Sequence, residues 1–305
     1  MKKMLFLLTL FCLLFASSPS LKSQTDILFS NSGMNPDVYN PAVILNNGMI
    51  NLQMLVRRQW VGFPDAPSVE HVRVSHFFDD QSMGLKLSVM NQSVGKEVSR
   101  NVSLAYVYKV NFDPQISMNL GLSAGLVQRQ ILFSNLVFQD GNEPLIRPDE
   151  NYLKPDFAFG MHLNAYDFDF GYAASHLTTI GRDPSISRIP LHQHLYAFYQ
   201  INLGDVNDPK FRTGVSYHQQ GKVQYLQIDA QFYRGMLQAG IGWRHTDSFI
   251  LKAGLRISEF VEFAYSYDMG ITRFANFNSG THEFVVQIRL NRKSAAYLSP
   301  RFMDY

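Results

Sequence analysis

The sequence is poor in cysteine, in charge and in long apolar runs, and each shortage narrows the class of protein. Cys12 is the single cysteine among 305 residues, so a scaffold held by disulfides is excluded. Charged residues make up 17% of the chain, the formal net charge is +2 and no basic run stands out, which excludes a nucleic-acid partner. After residue 15 no stretch approaches the roughly 18 consecutive apolar residues of a membrane-spanning helix. A helical anchor in the processed chain is therefore excluded.

The first residues have the composition of a targeting segment. Lys2 and Lys3 precede an apolar run over residues 4–15, and small and polar residues follow. This order is typical of a secretory signal peptide. We expect residues 1–24 to be removed, together with Cys12, so that the mature chain contains no cysteine.

Between residues 49 and 290, apolar and polar residues alternate with little interruption. Leu226, Ile228 and Phe232 share one face of a two-residue period, and Gln227 and Asp229 share the other. We count about fourteen candidate strands of this kind, each long enough for a tilted span of a hydrocarbon layer. They cover residues 49–58, 70–78, 83–91, 101–112, 115–128, 156–163, 166–174, 192–203, 210–218, 224–232, 235–244, 249–257, 260–268 and 281–290.

The longest apolar stripes indicate that these strands face lipid. Apolar side chains occupy every second position from Val102 to Phe112 and again from Ile116 to Leu126, which is longer than the usual strand of a soluble sandwich. In lipid every backbone group at a sheet edge must be paired, so an extensive sheet has to close. The sequence predicts an all-β fold: a transmembrane antiparallel outer-membrane β-barrel of about 14 strands.

The connections between strands support the same architecture. Short turns alternate with longer pieces at 59–69, 92–100, 129–155, 175–191 and 269–280, as periplasmic turns and surface loops do in outer-membrane barrels. An even strand number places both termini in the periplasm. We therefore expect a signal peptide at 1–24, a periplasmic or lumen-plugging N-terminal segment at 25–48, the barrel at 49–290 and a periplasmic C-terminal tail at 291–305.

Aromatic residues near the predicted strand ends suit the girdles that outer-membrane barrels place at both membrane interfaces. Ordinary hairpin aromatics would follow the same pattern. The residues are Phe77, Phe78, Phe112, Tyr166, Tyr233, Phe260 and Phe274.

Short motifs with catalytic or metal-binding meaning are better explained by structure. Residues 121–125 match the nucleophile elbow of esterases, but that motif needs a strand-to-helix turn and lies mid-strand in this chain. His192 and His194 share a strand face without an identifiable third metal ligand. A hydrolase using Ser175 and His176 is the least favoured hypothesis, because adjacent residues of an extended chain point apart. We expect no enzymatic activity, no cofactor and no metal.

Several stretches, in order along the chain, carry a family resemblance. The most specific are Arg58-Gln59-Trp60, Tyr265-Ser266-Tyr267-Asp268 and His282-Glu283. They are accompanied by Asn40-Pro41-Ala42, Pro155-Asp156-Phe157-Ala158-Phe159-Gly160, Ser175-His176-Leu177 and Ser299-Pro300-Arg301-Phe302. Together these stretches resemble the PorP/SprF family of the type IX secretion system of Bacteroidetes-type bacteria.

The resemblance implies a FadL-like outer-membrane barrel that serves protein secretion and, in gliding species, surface adhesins. It implies partners among the periplasmic lipoprotein-ring components and an OmpA-like peptidoglycan-binding lipoprotein, and it carries no catalytic residues. The favoured hypothesis is an outer-membrane component, solvated by lipid, that docks this machinery and meets secreted or adhesin proteins outside. The alternative is a FadL-like or porin-type channel for small molecules. We expect partner contacts through loop 129–155 and through Arg292, Tyr297, Pro300, Arg301 and Phe302 in the tail.

Overall fold

Fourteen antiparallel strands form the fold. A computed structural model of the chain describes residues 27–31, 36–45, 48–78, 82–135, 148–179, 189–204 and 209–290. The strands are β1 (Ile50–Arg58), β2 (Ser68–Phe78), β3 (Met83–Val94), β4 (Glu97–Asp113), β5 (Ile116–Ile131), β6 (Glu150–Ala165), β7 (Phe168–Ser175), β8 (His192–Asn202), β9 (Lys210–Gln220), β10 (Val223–Arg234), β11 (Leu237–Arg244), β12 (Ser248–Arg256), β13 (Val261–Gly270) and β14 (Thr281–Leu290). Each strand pairs with its neighbours in chain order and β1 pairs with β14, so the sheet closes into a barrel. The predicted antiparallel barrel is confirmed.

The two-residue period divides the wall into a polar inner face and an apolar outer face. In β10, Gln227 and Asp229 are only 1% and 2% exposed, whereas Ile228 between them is 45% exposed. By the same alternation Ile241 of β11 faces outward, and it is 61% exposed. An apolar belt of this extent around a closed sheet is the surface that lipid solvates. Among the described residues no helix has the length and apolarity to cross a membrane.

The two ends of the barrel differ in their connections. The end where β1 begins and β14 ends has turns at 114–115, 166–167, 235–236 and 257–260; we call it the periplasmic end. The opposite end, the surface end, carries the longer connections 59–67, 132–149, 176–191 and 271–280. The connection 271–280 contains a short 3-10 helix, Arg273–Phe277.

The prediction of a surface loop at 92–100 is wrong. β3 and β4 stay paired beyond the apolar belt, with Gln92 opposite Ser99, and only Gly95 and Lys96 form the turn. Outside the lipid both faces of a strand can be polar, so alternation stops indicating a strand there. The loop predicted at 129–155 shortens to 132–149 for the same reason, and the surface end consequently has three short connections, at 95–96, 221–222 and 245–247.

Two of the predicted girdle aromatics lie on the wrong face. Phe77 is only 2% exposed and packs inside the barrel with Val107 and Ile44. Tyr233 also points inward and lines a cavity of the lumen. Phe112 and Tyr166 do project outward, at 62% and 67% exposure. A shift of one residue in the predicted alternation moves a side chain to the opposite face of the strand. Near a strand end the sequence pattern is too short to fix this alternation.

Candidate functional site

Residues 27–31 and 36–45, which we call the N-terminal segment, lie within the ring of strands. Ser30 is hydrogen-bonded to Glu283 of β14, and Asn40 is hydrogen-bonded to the carbonyl of Met161 in β6. These two strands lie on different sides of the barrel. The N-terminal segment therefore crosses the lumen, and the side chains that hold it form the candidate site.

Glu283 holds the backbone at one end of this segment. Its Oε2 accepts the N–H of Ser30 and its Oε1 accepts the N–H of Asn31, both at 2.9 Å. The Oγ of Ser30 donates to Asp268 Oδ2 (2.6 Å) and accepts from Arg57 Nη1 (2.7 Å). The backbone N–H and the hydroxyl of Ser30 are thus both bound by charged side chains of the wall.

Four charged side chains around Ser30 form what we call the charged cluster: Arg57, Arg244, Asp268 and Glu283. Arg57 bridges the two carboxylates, with Nη2 2.8 Å from Asp268 Oδ2 and Nη1 3.0 Å from Glu283 Oε2. Arg244 lies 3.4 Å from Asp268 and donates to the carbonyl of Phe29. β1, β11, β13 and β14 each contribute one member, so folding of the barrel assembles the cluster.

The burial of the charged cluster makes its pairing important for stability. Arg57 is 1% exposed and Glu283 is fully buried. A buried charge is tolerated only when it is paired and hydrogen-bonded, and removing one partner of such a pair typically costs about 3–5 kcal/mol. Ser30 is hydrogen-bonded to Arg57, Asp268 and Glu283 of the cluster, so the N-terminal segment is part of the interior rather than an addition to it.

A lysine of β3 binds the middle of the N-terminal segment. Lys86 Nζ donates to three backbone carbonyls, those of Asp37 (3.1 Å), Asn40 (2.9 Å) and Val43 (3.1 Å). Arg73 of β2 adds an ion pair with the side chain of Asp37 at 3.1 Å. These contacts fix the curved path of residues 36–45 to β2 and β3.

The Asn40-Pro41-Ala42 motif packs against glycines of the wall. Asn40 Oδ1 accepts the N–H of Ala42, while Nδ2 reaches the Met161 carbonyl and the hydroxyl of Tyr196. A Cβ at Gly160 would overlap Asn40 Oδ1, and a Cβ at Gly121 would lie 2.6 Å from Ala42 Cα. Glycine at these two positions lets the segment approach the backbone of β5 and β6.

Tyr39 lies against a pair of stacked histidines. Its ring is 4.8 Å from His194 and 4.7 Å from His218, and the two imidazoles stack at 4.2 Å. Burial raises the pKa of the Tyr39 hydroxyl well above its ordinary value, so the phenol stays neutral while it accepts the N–H of Phe29. His192 packs instead on His176. The part of the chain that the structure describes has no group of three or more His, Cys, Asp or Glu that could hold a metal.

The family-motif residues separate onto the two faces of the wall. Asp268 and Glu283 point inward and belong to the charged cluster, whereas Tyr265 and His282 lie on the outer face and are joined by a 2.7 Å hydrogen bond. Tyr267 also packs on His282. Strands β13 and β14 pair directly at these positions.

The Arg58-Gln59-Trp60 stretch marks the exit of β1 into its loop. Arg58 points outward and pairs with exposed Glu70 at 2.8 Å, and Gln59 is buried. Trp60 has φ of +51° and packs edge-on against Phe274. The tail residues Arg292, Tyr297, Pro300, Arg301 and Phe302, like residues 1–24, lie outside the described residues.

Sequence reasoning singled out Asn40, Asp268 and Glu283 only as motif residues and did not identify the other side chains that hold the segment. Arg57 rather than Arg58 enters the charged cluster, and Ser30, Lys86 and Arg244 also have central roles. The alternation pattern does predict the position of Arg57. Arg57 lies four residues after Gln53 and therefore on the same, inward face of β1, whereas Arg58 lies on the outward face. For Ser30 no local pattern exists, because its carboxylate partners, Asp268 and Glu283, lie more than 200 residues away.

The enzymatic motifs behave as structural elements. Residues 121–125 lie within β5, far from any strand-to-helix turn, and Gly121 is in contact with Ala42. His176 pairs with Asp156 at 3.1 Å.

A closed barrel with an apolar outer belt and a polar lumen defines an integral β-barrel protein of the outer membrane. The family model for the type IX secretion system membrane protein PorP/SprF matches residues 21–288. The chain belongs to this family, as its motifs predict. Membership makes it a membrane component of type IX secretion that associates with other components of that system.

Comparison with solved structures gives distant similarities, and comparison with curated proteins gives no match. The Ralstonia pickettii toluene transporter TbuX is 9% identical, with 85% of this chain and 93% of that chain covered and a TM-score of 0.49. The KdgM porin is 11% identical, with 80% and 99% covered and a TM-score of 0.39.

Proposed function

We propose that the chain is a non-conducting anchor of the type IX secretion machinery, fixed in the outer membrane and docking periplasmic partners at one end and exported or adhesin proteins at the other. The observation that carries the proposal is the N-terminal segment, bound across the lumen by the charged cluster, by Lys86 and by the glycine contacts. A lumen occupied in this way supports a role as an attachment point. It does not favour the alternative of a small-molecule channel.

The docking surfaces lie at the two ends of the barrel. At the periplasmic end we propose the tail, residues 291–305, as a contact for the lipoprotein-ring components and the peptidoglycan-binding lipoprotein. At the surface end the longest connection, 132–149, is the contact for exported protein. Neither function requires a catalytic group, and we propose that the protein is not an enzyme.

The non-conducting state is tested by single-channel recording in planar bilayers. The intact protein should be electrically silent, and a variant lacking residues 25–45 should conduct, because its lumen has lost the crossing segment. Removal of residues 291–305 is the matched control and should leave the bilayer silent. Sustained conductance of the intact protein would overturn the proposal and favour the channel.

Docking is tested by affinity purification from native outer membranes. The full chain should recover periplasmic components of the secretion system, and the variant lacking residues 291–305 should lose them while still inserting as a folded barrel. If both proteins recover the periplasmic components equally, the tail is not the docking surface.

A further inference from the structure

A cavity of about 380 Å³ opens between the N-terminal segment and the periplasmic end of the barrel. Asn31 and Phe29 form part of its wall, and Gly235 in the turn between β10 and β11 lies at its mouth. Its charged lining is unbalanced, since it contains five cationic side chains and the single carboxylate of Glu262. The cations are Arg73, Lys210, Arg212, Arg256 and Arg289.

Internal ion pairs neutralise only part of this positive charge. Arg256 and Arg289 share Glu262, at 3.4 and 2.7 Å, and Arg212 pairs with Asp169. Among the described residues Lys210 has no ion-pair partner. The lining thus keeps an excess of positive charge where the cavity meets the periplasm, a distribution that concentrates anionic ligands.

Polar side-chain atoms without partners among the described residues lie at the deeper end of the cavity. Arg73 is only 4% exposed, and its Nη1 has no hydrogen-bond partner although Nη2 pairs with Asp37. The side-chain oxygens of Asn31 and Gln53, which also line the cavity, are unpartnered as well. Buried donors and acceptors are normally satisfied, but Arg73, Asn31 and Gln53 each keep one donor or acceptor that no described residue satisfies.

The arrangement of the cations distinguishes an extended ligand from a single small anion. Lys210 lies on β9 and Arg73 on β2, seven strand-to-strand steps apart along the wall. These strands therefore face each other across the lumen, so the cations approach the cavity from opposite sides and a ligand with several negative groups can meet more of them than a single phosphate can. A peptide with several carboxylates matches this arrangement, and its amides can pair with Asn31 and Gln53.

We propose that this cavity is a docking site for an extended acidic segment of a periplasmic protein. The inference rests on the proposed docking function, because it names the chemistry of a partner at the periplasmic end. Arg256, whose side chain is 47% exposed, and Lys210 receive the segment at the mouth, and Arg73 binds a carboxylate at the deeper end.

The test uses the purified full-length barrel in an uncharged detergent and a fluorescent peptide of six glutamates, with six glutamines as the neutral control. Anisotropy should show binding of the glutamate peptide alone, and added salt should weaken it. Combining Lys210→Gln and Arg256→Gln should weaken binding by about tenfold or more, since two charge-assisted contacts are lost. Arg234→Gln, at the same end but on the outer face, is the matched control and should change the affinity less than twofold.

Three results would overturn the inference: no binding of the glutamate peptide, equal weakening by Arg234→Gln, or complete displacement of the peptide by an equal concentration of inorganic phosphate, which would indicate a single-anion site.

Unaltered heat-modified migration of each variant on gels establishes that the barrel is folded. The peptide assay contains no secretion partner. If the peptide does not bind, the inference about the cavity fails, whereas the proposed docking function is tested separately by the native pull-down.

Discussion

Arg57 and Glu283 lie directly opposite each other where the first and last strands pair, and their side chains form an ion pair of 3.0 Å inside the lumen. Both also bind Ser30 of the N-terminal segment. One pair of side chains therefore joins the seam that closes the barrel to the segment that crosses it. Closure of the barrel and retention of the segment are coupled at this point.

The substitution Glu283→Gln should loosen the N-terminal segment and destabilise the barrel. The amide keeps the shape but removes the charge that pairs with Arg57, so the free energy of unfolding should fall by about 3–5 kcal/mol. Thermal unfolding in detergent measures the loss of stability. Limited proteolysis should cut within the N-terminal segment sooner than in the parent protein.

The matched control is Glu70→Gln, which breaks the exposed pair with Arg58 on the outer face. An exposed ion pair contributes about 0–1 kcal/mol, so this variant should unfold almost as the parent does. Comparable effects of the two substitutions would contradict a special role for the charged cluster.

The Asn40 contact should make Gly160→Ala destabilising. The added Cβ overlaps Asn40 Oδ1, and forced overpacking of this kind typically costs about 1–3 kcal/mol. Asn40→Ala removes the overlapping oxygen, so the double variant should lose less stability than the sum of the two single variants. Chemical or thermal unfolding of the four proteins gives the coupling energy.

Gly254→Ala is the control for this cycle, because its nearest neighbour is the flexible side chain of Gln238. It should be tolerated and should show no coupling to Asn40→Ala. Strict additivity of Gly160→Ala and Asn40→Ala would mean that the segment does not pack on β6 in the folded protein.

Lys86→Met should free the middle of the N-terminal segment. Its ammonium donates to three carbonyls of residues 37–43, which methionine cannot bind. Amide hydrogen exchange over residues 36–45 should accelerate, because local opening becomes less costly. Lys154→Met, an exposed lysine over the Tyr152 ring, should leave exchange there unchanged, and a uniform acceleration across the barrel would instead indicate global destabilisation.

The wall of the barrel could be predicted from the sequence because its pattern is local. Successive residues of β4 and β5 face lipid or lumen by a two-residue period, and lipid requires that period to be unbroken across the belt. Where strands leave the lipid this constraint ends, and the hairpin around Gly95 and Lys96 was mistaken for a loop. The number and order of the strands did not depend on those ends.

The interior could not be predicted in the same way. Ser30 meets Asp268 and Glu283 across 238 and 253 positions of sequence, and a polar inner face looks the same whether it borders water or a crossing segment. Family motifs pointed to Asp268 and Glu283 without stating their role. Only the closed ring brings β1, β13 and β14 together around the segment.

The apolar belt makes a depth-dependent prediction for charged substitutions. Leu122 lies near the middle of the apolar stretch 116–126 of β5 and is 63% exposed, whereas Phe112 lies near the periplasmic end of β4 and is 62% exposed. Arginine at the bilayer midplane of a barrel costs about 2–4 kcal/mol and near an interface about 0–1 kcal/mol. In lipid vesicles Leu122→Arg should therefore lower the free energy of unfolding markedly and Phe112→Arg only slightly. Because Leu122 and Phe112 are about equally exposed in the absence of lipid, equal effects of the two substitutions in vesicles would mean that the outer face of β5 does not cross a bilayer.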